Sequence, residues 1–359
     1  LPSHHHRGSW LHCTTAATAA SPSRTTRTSA MSASKRQKTA AGGAAEEGGG
    51  ASSSTLNAAT GKEQDFTHLL PPHWREEVHG WVRDDVPSID IGGFVVGEKD
   101  EEAYLYGKSD GVLAGVPFFD AVFDHLGCTV EWRKQERDVI DASGGKVICA
   151  IVRGPARNIL LGERTALNTL ARASGVASAA RAAADVGIAH GWHGHIAGTR
   201  KTTPGFRIVE KYALLVGGAA THRLDLSHMV MLKDNHVWSA GSISAAVAKA
   251  KVAAGFTSKI EVEARTLEEG FEAAGAGADI VMLDNMAPET LKAAAAELKA
   301  AHPHLIVEAS GGITFETMHE YFSPHVDVVS RGNLTQGYDV LDFSLKIARA
   351  SDKAALAKA

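Results

Sequence analysis

The most constraining feature of this chain is a regular alternation of short apolar runs and helical patterns over residues 195–330. Strand-like runs stand at His195 to Gly198, Met229 to Leu232, Lys259 to Ala264, Asp279 to Leu283, Leu305 to Ala309 and Val326 to Ser330. Between them lie helical patterns at Ile208 to Leu215, Ser242 to Ala253, Leu267 to Ala274, Pro288 to Ala300 and Phe315 to Tyr321. Short buried strands separated by amphipathic helices predict βα units, parallel strands and right-handed crossovers. Each run is followed by polar residues. They are Arg200-Lys201, Lys233-Asp234-Asn235, Asp284-Asn285, Ser310-Gly311-Gly312 and Arg331-Gly332-Asn333, with Glu261 and Glu263 on the third strand itself. Polar groups gathered at the C-terminal ends of parallel strands are how a β/α barrel builds an active site.

Composition narrows the class. The 359 residues suggest about two domains. A net charge of −4 argues against a broad basic face for nucleic acid. No apolar run approaches the ~20 residues that span a bilayer. Cys13, Cys128 and Cys149 form no CxxC pair, so a disulfide framework or thiolate metal site is a poor reading and a reducing, cytoplasmic compartment is the default.

Residues 1–63 are Ser-, Thr-, Ala- and Gly-rich and read as a disordered leader, because they offer little to bury against the ordering entropy. No acid precedes Glu46, while Arg7, Arg24, Arg27, Lys35, Arg36 and Lys38 are basic. That bias fits a plastid or mitochondrial transit peptide. It fits equally an untranslated or vector-derived leader with Met31 as the start, and both readings stay open.

Residues 64–172 form a separate α+β unit with antiparallel character. A helix is expected over His73 to Asp84 and another over Pro117 to Leu126. Strands are expected over Val95 to Tyr106, Gly111 to Val116, Thr129 to Trp132 and Lys146 to Arg153. A long helix opens at Pro155. On pattern alone Arg164 within it is a solvated helix charge. The barrel is expected over 173–328.

The chemistry sits in the barrel half. Arg200, Arg223, Lys233 and His222 together can grip a small polyanion, arginine by its planar fork and lysine as a compact charge. His222 alone is as readily a packing histidine. Lys201 faces the other way from Arg200 if the backbone is extended, and so can serve a second anion. Glu261 and Glu263 share one strand face. Glu263 and Asp284 can accept hydroxyls, ligate Mg²⁺ or place negative charge beside a cationic centre, with Glu261 neutralising a lysine deeper in the barrel. The loops at Ser310-Gly311-Gly312 and Gly332 can bring backbone N–H groups to a phosphate, helped by a following helix N-terminus. A cationic pocket, two carboxylates and a phosphate cradle suit a phosphorylated sugar beside a carboxylated small molecule.

These residues, together with Glu163-Arg164, Ala166-Leu167-Asn168, Gly198 to Arg207, Gly217 to Arg223, Leu232 to His236, Asp279 to Asn285, Glu308 to Thr314 and Leu334-Thr335, resemble the quinolinate phosphoribosyltransferases, the carboxylating nicotinate-nucleotide pyrophosphorylases. The likeness runs from about Phe66 to Lys346. It implies an N-terminal α/β sandwich plus an open seven-stranded β/α barrel, the type II phosphoribosyltransferase fold. The segment 329–349 would return to the first domain and 350–359 would form a tail. The implied reaction joins quinolinate and phosphoribosyl pyrophosphate to give nicotinate mononucleotide, pyrophosphate and CO2, with Mg²⁺. The implied assembly is a homodimer, or a hexamer built as a trimer of dimers, in which Arg164 completes the neighbouring site. Arg200, His222, Arg223 and Lys233 would hold the two carboxylates of quinolinate. Lys201, next to Thr202, would meet the pyrophosphate. Glu263 and Asp284 would bind ribose hydroxyls and Mg²⁺, and Ser310, Gly311, Gly312 and Gly332 the 5′-phosphate. Lys201, Lys233, Glu263 and Asp284 are the expected catalytic groups. One departure is Arg331, which stands where related sequences often carry a small or apolar residue.

Three rival readings have discriminators. A Schiff-base lyase on Lys233 would be trapped by borohydride. A catalytically silent assembly protein would have lost Arg200, Lys233 or Glu263, and all are present. A transferase acting on nicotinate would not need so many cations.

Overall fold

A computed structural model describes residues 65–337 and 340–356. The leader expected over 1–63 lies outside the described residues. The described residues build a four-stranded antiparallel sheet, a six-stranded parallel sheet and a two-stranded ribbon. Five strands occupy its first half: β1 (Asp100–Gly107), β2 (Gly111–Val112), β3 (Thr129–Trp132), β4 (Val139–Ile140) and β5 (Val147–Pro155). Six short strands follow: β6 (His195–Ala197), β7 (Val230–Leu232), β8 (Ile260–Ala264), β9 (Ile280–Asp284), β10 (Ile306–Ser310) and β11 (Val328–Ser330). The last strand is β12 (Phe343–Ile347). The helices are α1 (Trp74–Asp85), α2 (Ile91–Val96), α3 (Val116–His125), α4 (Ala156–Ala189) and α5 (Arg207–Val216). Further along come α6 (Asp234–Ala240), α7 (Ile243–Ala254), α8 (Leu267–Ala276), α9 (Pro288–Ala301) and α10 (Ala350–Leu356).

The N-terminal sheet has the order β12-β1-β5-β3 and is antiparallel throughout. Its core includes Leu105, Phe118, Phe119, Val122, Phe123 and Val152, all sealed from solvent. Each such side chain contributes about 1.5–3 kcal/mol by leaving water. β12 pairs with β1 from Ala103↔Ile347 to Gly107↔Phe343, so the chain returns to this sheet after the barrel.

The second sheet is parallel, in the order β6-β11-β10-β9-β8-β7. Ala220 adds a single parallel bridge to Ala197 beside β6, so the seventh position of the expected barrel is reduced to one residue. The strands here are three to five residues long and mostly apolar, as suits a sheet covered on both faces.

Helix α4 joins the two halves. Its 34 residues bury Ala166, Ala173, Ala177, Ala180 and Ala183, small side chains that let it lie close to its neighbours. It touches β1, β5 and β12 on one side and β6 and α5 on the other.

Several expected elements and bounds fall differently on the observed strands and helices. The division between 172 and 173 falls inside α4, and 329 falls inside β11, which belongs to the parallel sheet. Part of the tail expected at 350–359 is the helix α10, with Lys353 Nζ 3.5 Å from Glu102 Oε2. The strand expected from Val95 is instead the end of α2, because Asp90 caps that helix by accepting from Gly93 N at 2.8 Å. The helix expected at Phe315 to Tyr321 is a single 3-10 turn, Met318–Tyr321.

Candidate active site

The parallel register brings the C-terminal ends of the six strands to one rim. Ser310 pairs with Asp284, Ala264 with Leu283, Leu232 with Val262 and Ser330 with Ala197. The residues that follow those positions converge on a cavity of about 650 Å³. Arg200, Lys201, His222, Arg223, Lys233, Glu263, Asp284, Ser310, Gly311, Gly312 and Gly332 all line it. Arg331 and Glu308 line it too.

Two expected site residues lie elsewhere. Thr202 turns from the cavity, and its Oγ1 accepts from Arg207 Nε at 3.1 Å. Arg164 is exposed on α4 and lines a separate hollow with Asp84, Asp85 and Asn168. Among the described residues it makes no ion pair. The helix pattern alone would have left it a solvated charge, and its own chain's cavity does not use it.

The cavity is rich in unsatisfied positive charge. Among the described residues, Lys233 alone of its cations Arg200, Lys201, Arg223, Lys233 and Arg331 is ion-paired, to Glu263. Arg223 is 8% exposed and, among the described residues, its Nε has no hydrogen-bond partner. Burial, and then Arg200 beside it, hold its guanidinium below the ordinary arginine value. Lys211 of α5 lies behind this group, 4% exposed, its Nζ donating to the Thr221 carbonyl. Burial, with Arg207, Arg223 and Arg200 adding repulsion, pushes Lys211 down to about 8. Cations that are buried and also repel one another are suited to receive an anion.

His222 occupies a special place. Its φ is +57°, and Asn285, which lines the same cavity, has +58°. Left-handed non-glycine residues are strained and collect at functional sites. His222 Nδ1 accepts from Arg223 N at 2.8 Å, which places the ring proton on Nε2, facing Glu308 Oε2 at 3.1 Å. Both ring nitrogens are therefore engaged. His222 can take a substrate carboxylate only by exchanging Glu308 for it, which qualifies the expectation that it grips directly. Glu261 Oε2 lies 3.7 Å from the same Nε2. Glu261 thus meets a histidine, not the lysine expected of it. It is fully buried and, among the described residues, neither oxygen has a hydrogen-bond partner; burial together with Glu308 raises its carboxyl far above the usual range.

The carboxylates nearer the mouth are Glu263 and Asp284. Asp284 is raised by burial first and by the Glu263 charge second. Two carboxylates that repel across a cavity are suited to share a divalent cation through oxygen donors.

The glycine loops follow from close approach. Gly311 has φ +92°, and a Cβ there would fall 2.5 Å from Asn285 N. A Cβ on Gly332 would fall 2.9 Å from Lys201 Cδ, so its absence lets the lysine cross the loop.

Composition and spacing did not single out the residues that hold the site. Glu210, fully buried, accepts from Arg172 Nε at 2.9 Å, Thr203 N at 2.9 Å and Thr203 Oγ1 at 2.8 Å. Thr335 Oγ1 donates to the Lys201 carbonyl at 2.9 Å. Together they clamp the loop that carries Arg200 and Lys201.

Comparison with known proteins agrees with this geometry. Residues 90–174 match the N-terminal domain, and residues 176–346 the C-terminal domain, of quinolinate phosphoribosyl transferase. The chain belongs to the quinolinate phosphoribosyltransferase family. It is 54% identical over 284 residues to the human nicotinate-nucleotide pyrophosphorylase [carboxylating], covering 78% of this chain and 93% of that one. The rat protein of the same name is 52% identical over the same length and with the same coverage. Among solved structures, NadC from Streptococcus pyogenes superposes with a TM-score of 0.71 at 34% identity, over 79% of this chain and 98% of that one.

Proposed function

We propose that this cavity joins quinolinate to the ribose carbon of phosphoribosyl pyrophosphate and removes one carboxylate, giving nicotinate mononucleotide, pyrophosphate and CO2. The observation that carries the reading is the set of unpaired cations around Arg200 and Arg223, which asks for a ligand with more than one negative charge. Arg200, Arg223 and Lys233 grip the two carboxylates, with His222 exchanging its Glu308 contact as the ring enters. Lys201 meets the pyrophosphate. Glu263 and Asp284 take the ribose hydroxyls. Ser310, Gly311, Gly312 and Gly332 take the 5′-phosphate.

Chemistry follows from position and charge. The pyridine nitrogen forms a bond to the anomeric carbon while the carbon–oxygen bond to pyrophosphate breaks, and the leaving oxygen keeps the electron pair. Glu263 and Asp284 place negative charge beside the carbon that becomes cationic. The bond to the 2-carboxylate then breaks, its electrons passing to the cationic ring, and a proton takes the vacated carbon. Glu263 and Asp284 would hold Mg²⁺, which would neutralise the charge developing on the leaving pyrophosphate.

Arg164 fits the same scheme in an oligomer. Exposed on α4 and without an ion pair among the described residues, it is free to enter the cavity of a neighbouring subunit. Such a homodimer, or a hexamer built from dimers, follows from the family resemblance.

Calorimetry with quinolinate and nicotinate tests the ligand assignment. Nicotinate has one carboxylate and should bind at least about tenfold more weakly, since one charge-assisted contact is lost. Equal affinities would contradict the two-carboxylate grip.

A further inference from the structure

Arg331 directly follows β11 and is 4% exposed. It lines the cavity beside Gly311, Gly312 and Gly332. Its Nη1 lies 3.4 Å from Met318 Sδ, and its guanidinium carbon lies 5.6 Å from the centre of the Phe315 ring. Its Nε is buried and, among the described residues, without a hydrogen-bond partner. Among the described residues no carboxylate lies within ion-pairing distance, and Glu316 attracts it only from the exposed surface. A buried cation held by sulfur and an aromatic face is expensive to keep, and an anion is what would complete it. Ser330 next to it is 3% exposed, lines the same cavity and leaves its hydroxyl unpartnered.

The neighbouring loop lacks the usual source of positive potential. Phosphates are commonly bound where a glycine loop runs into a helix N-terminus. Here Gly311-Gly312 is followed by the four-residue 3-10 turn Met318–Tyr321, and Gly332 opens a turn of three residues. Neither offers a helix macrodipole, which needs several aligned turns. The charge has to come from a side chain.

We propose that Arg331 is the charged anchor of the sugar-phosphate end of the substrate, donating to the 5′-phosphate held by Gly311, Gly312 and Gly332. This assignment rests on the phosphoribosyl-transfer reading. Lys201, which crosses Gly332, then remains for the pyrophosphate. Specificity for a phosphorylated ribose depends on a residue that a family-wide pattern of glycines would not reveal.

The test compares wild type with Arg331→Met, which keeps an extended side chain without charge. Steady-state kinetics are measured for both substrates, with ribose 5-phosphate and pyrophosphate as competing inhibitors. The expected result is a KM for phosphoribosyl pyrophosphate raised about tenfold or more. Inhibition by ribose 5-phosphate should weaken by a similar factor. The KM for quinolinate and inhibition by pyrophosphate should stay within about twofold of wild type. Unchanged affinity for ribose 5-phosphate, or a loss confined to pyrophosphate, would overturn the proposal and leave Arg331 a packing residue or a leaving-group contact. If the methionine variant does not fold, Arg331→Gln is read by the same four constants. Absence of product from wild-type enzyme would instead count against the reaction itself, so the two failures are distinguishable.

Discussion

Replacing Lys211 with methionine separates a cavity held in electrostatic tension from one that is internally balanced. Lys211 is 4% exposed and faces the cluster of Arg207, Arg223 and Arg200. The fall from 10.5 to about 8 corresponds to about 3 kcal/mol against the charged form in the native state. Losing the bond to the Thr221 carbonyl costs about 1 kcal/mol. Lys211→Met should therefore be more stable at pH 7 by about 2 kcal/mol, or about 4–8 °C in Tm. The pH dependence fixes the cause. Below the native value near 8, Lys211 is protonated in both states and the native state bears the whole cost. Between about 8 and 10.5 the unfolded chain binds the proton and the native state does not, so wild type recovers stability as pH rises. The advantage of the variant should shrink to near zero by about pH 9.5. Thermal unfolding at the two pH values reads this directly, and the KM for quinolinate should rise because the field on Arg223 and Arg200 has weakened. A variant less stable at pH 7, or a difference unchanged by pH, would refute the reasoning.

Other expectations follow from the same geometry. Arg164→Ala and Lys233→Ala should each be nearly inactive. After subunit exchange in an equal mixture, about a quarter of wild-type activity should return, because half of the dimers then carry one intact composite site. Activity that never returns would place Arg164 outside a shared site. Gly311→Ala must accommodate a Cβ 2.5 Å from Asn285 N at φ +92°, so stability should drop by about 1–3 kcal/mol and affinity for phosphoribosyl pyrophosphate should fall. Denaturant titration and kinetics check both.

The sequence made the barrel readable because parallel strands buried on both faces leave short, mostly apolar runs that give way to polar residues at the rim. Arg200, Lys233, Asp284, Ser310 and Arg331 were found as the first polar residues beyond such runs or close after them. The supports were hidden for a physical reason. Glu210 and Lys211 sit on a helix, where charged residues ordinarily face water, yet both are buried. The partners His222 and Glu308 are 86 residues apart, and Thr335 and Lys201 are 134 apart, distances at which no local pattern operates. Phe315 to Tyr321 has helical spacing, yet only Met318–Tyr321 winds, and that as a 3-10 turn. Arg164 shows the opposite limit. One subunit's geometry leaves it exposed and idle, and only the family resemblance suggested a use.

The most direct test of the account is product formation. A chain beginning near Lys62 would be incubated with quinolinate, phosphoribosyl pyrophosphate and Mg²⁺, and CO2 and nicotinate mononucleotide measured together. The account predicts equal amounts of the two, with nicotinate failing to replace quinolinate. A folded protein that releases neither, or that forms the mononucleotide from nicotinate without CO2, would contradict it.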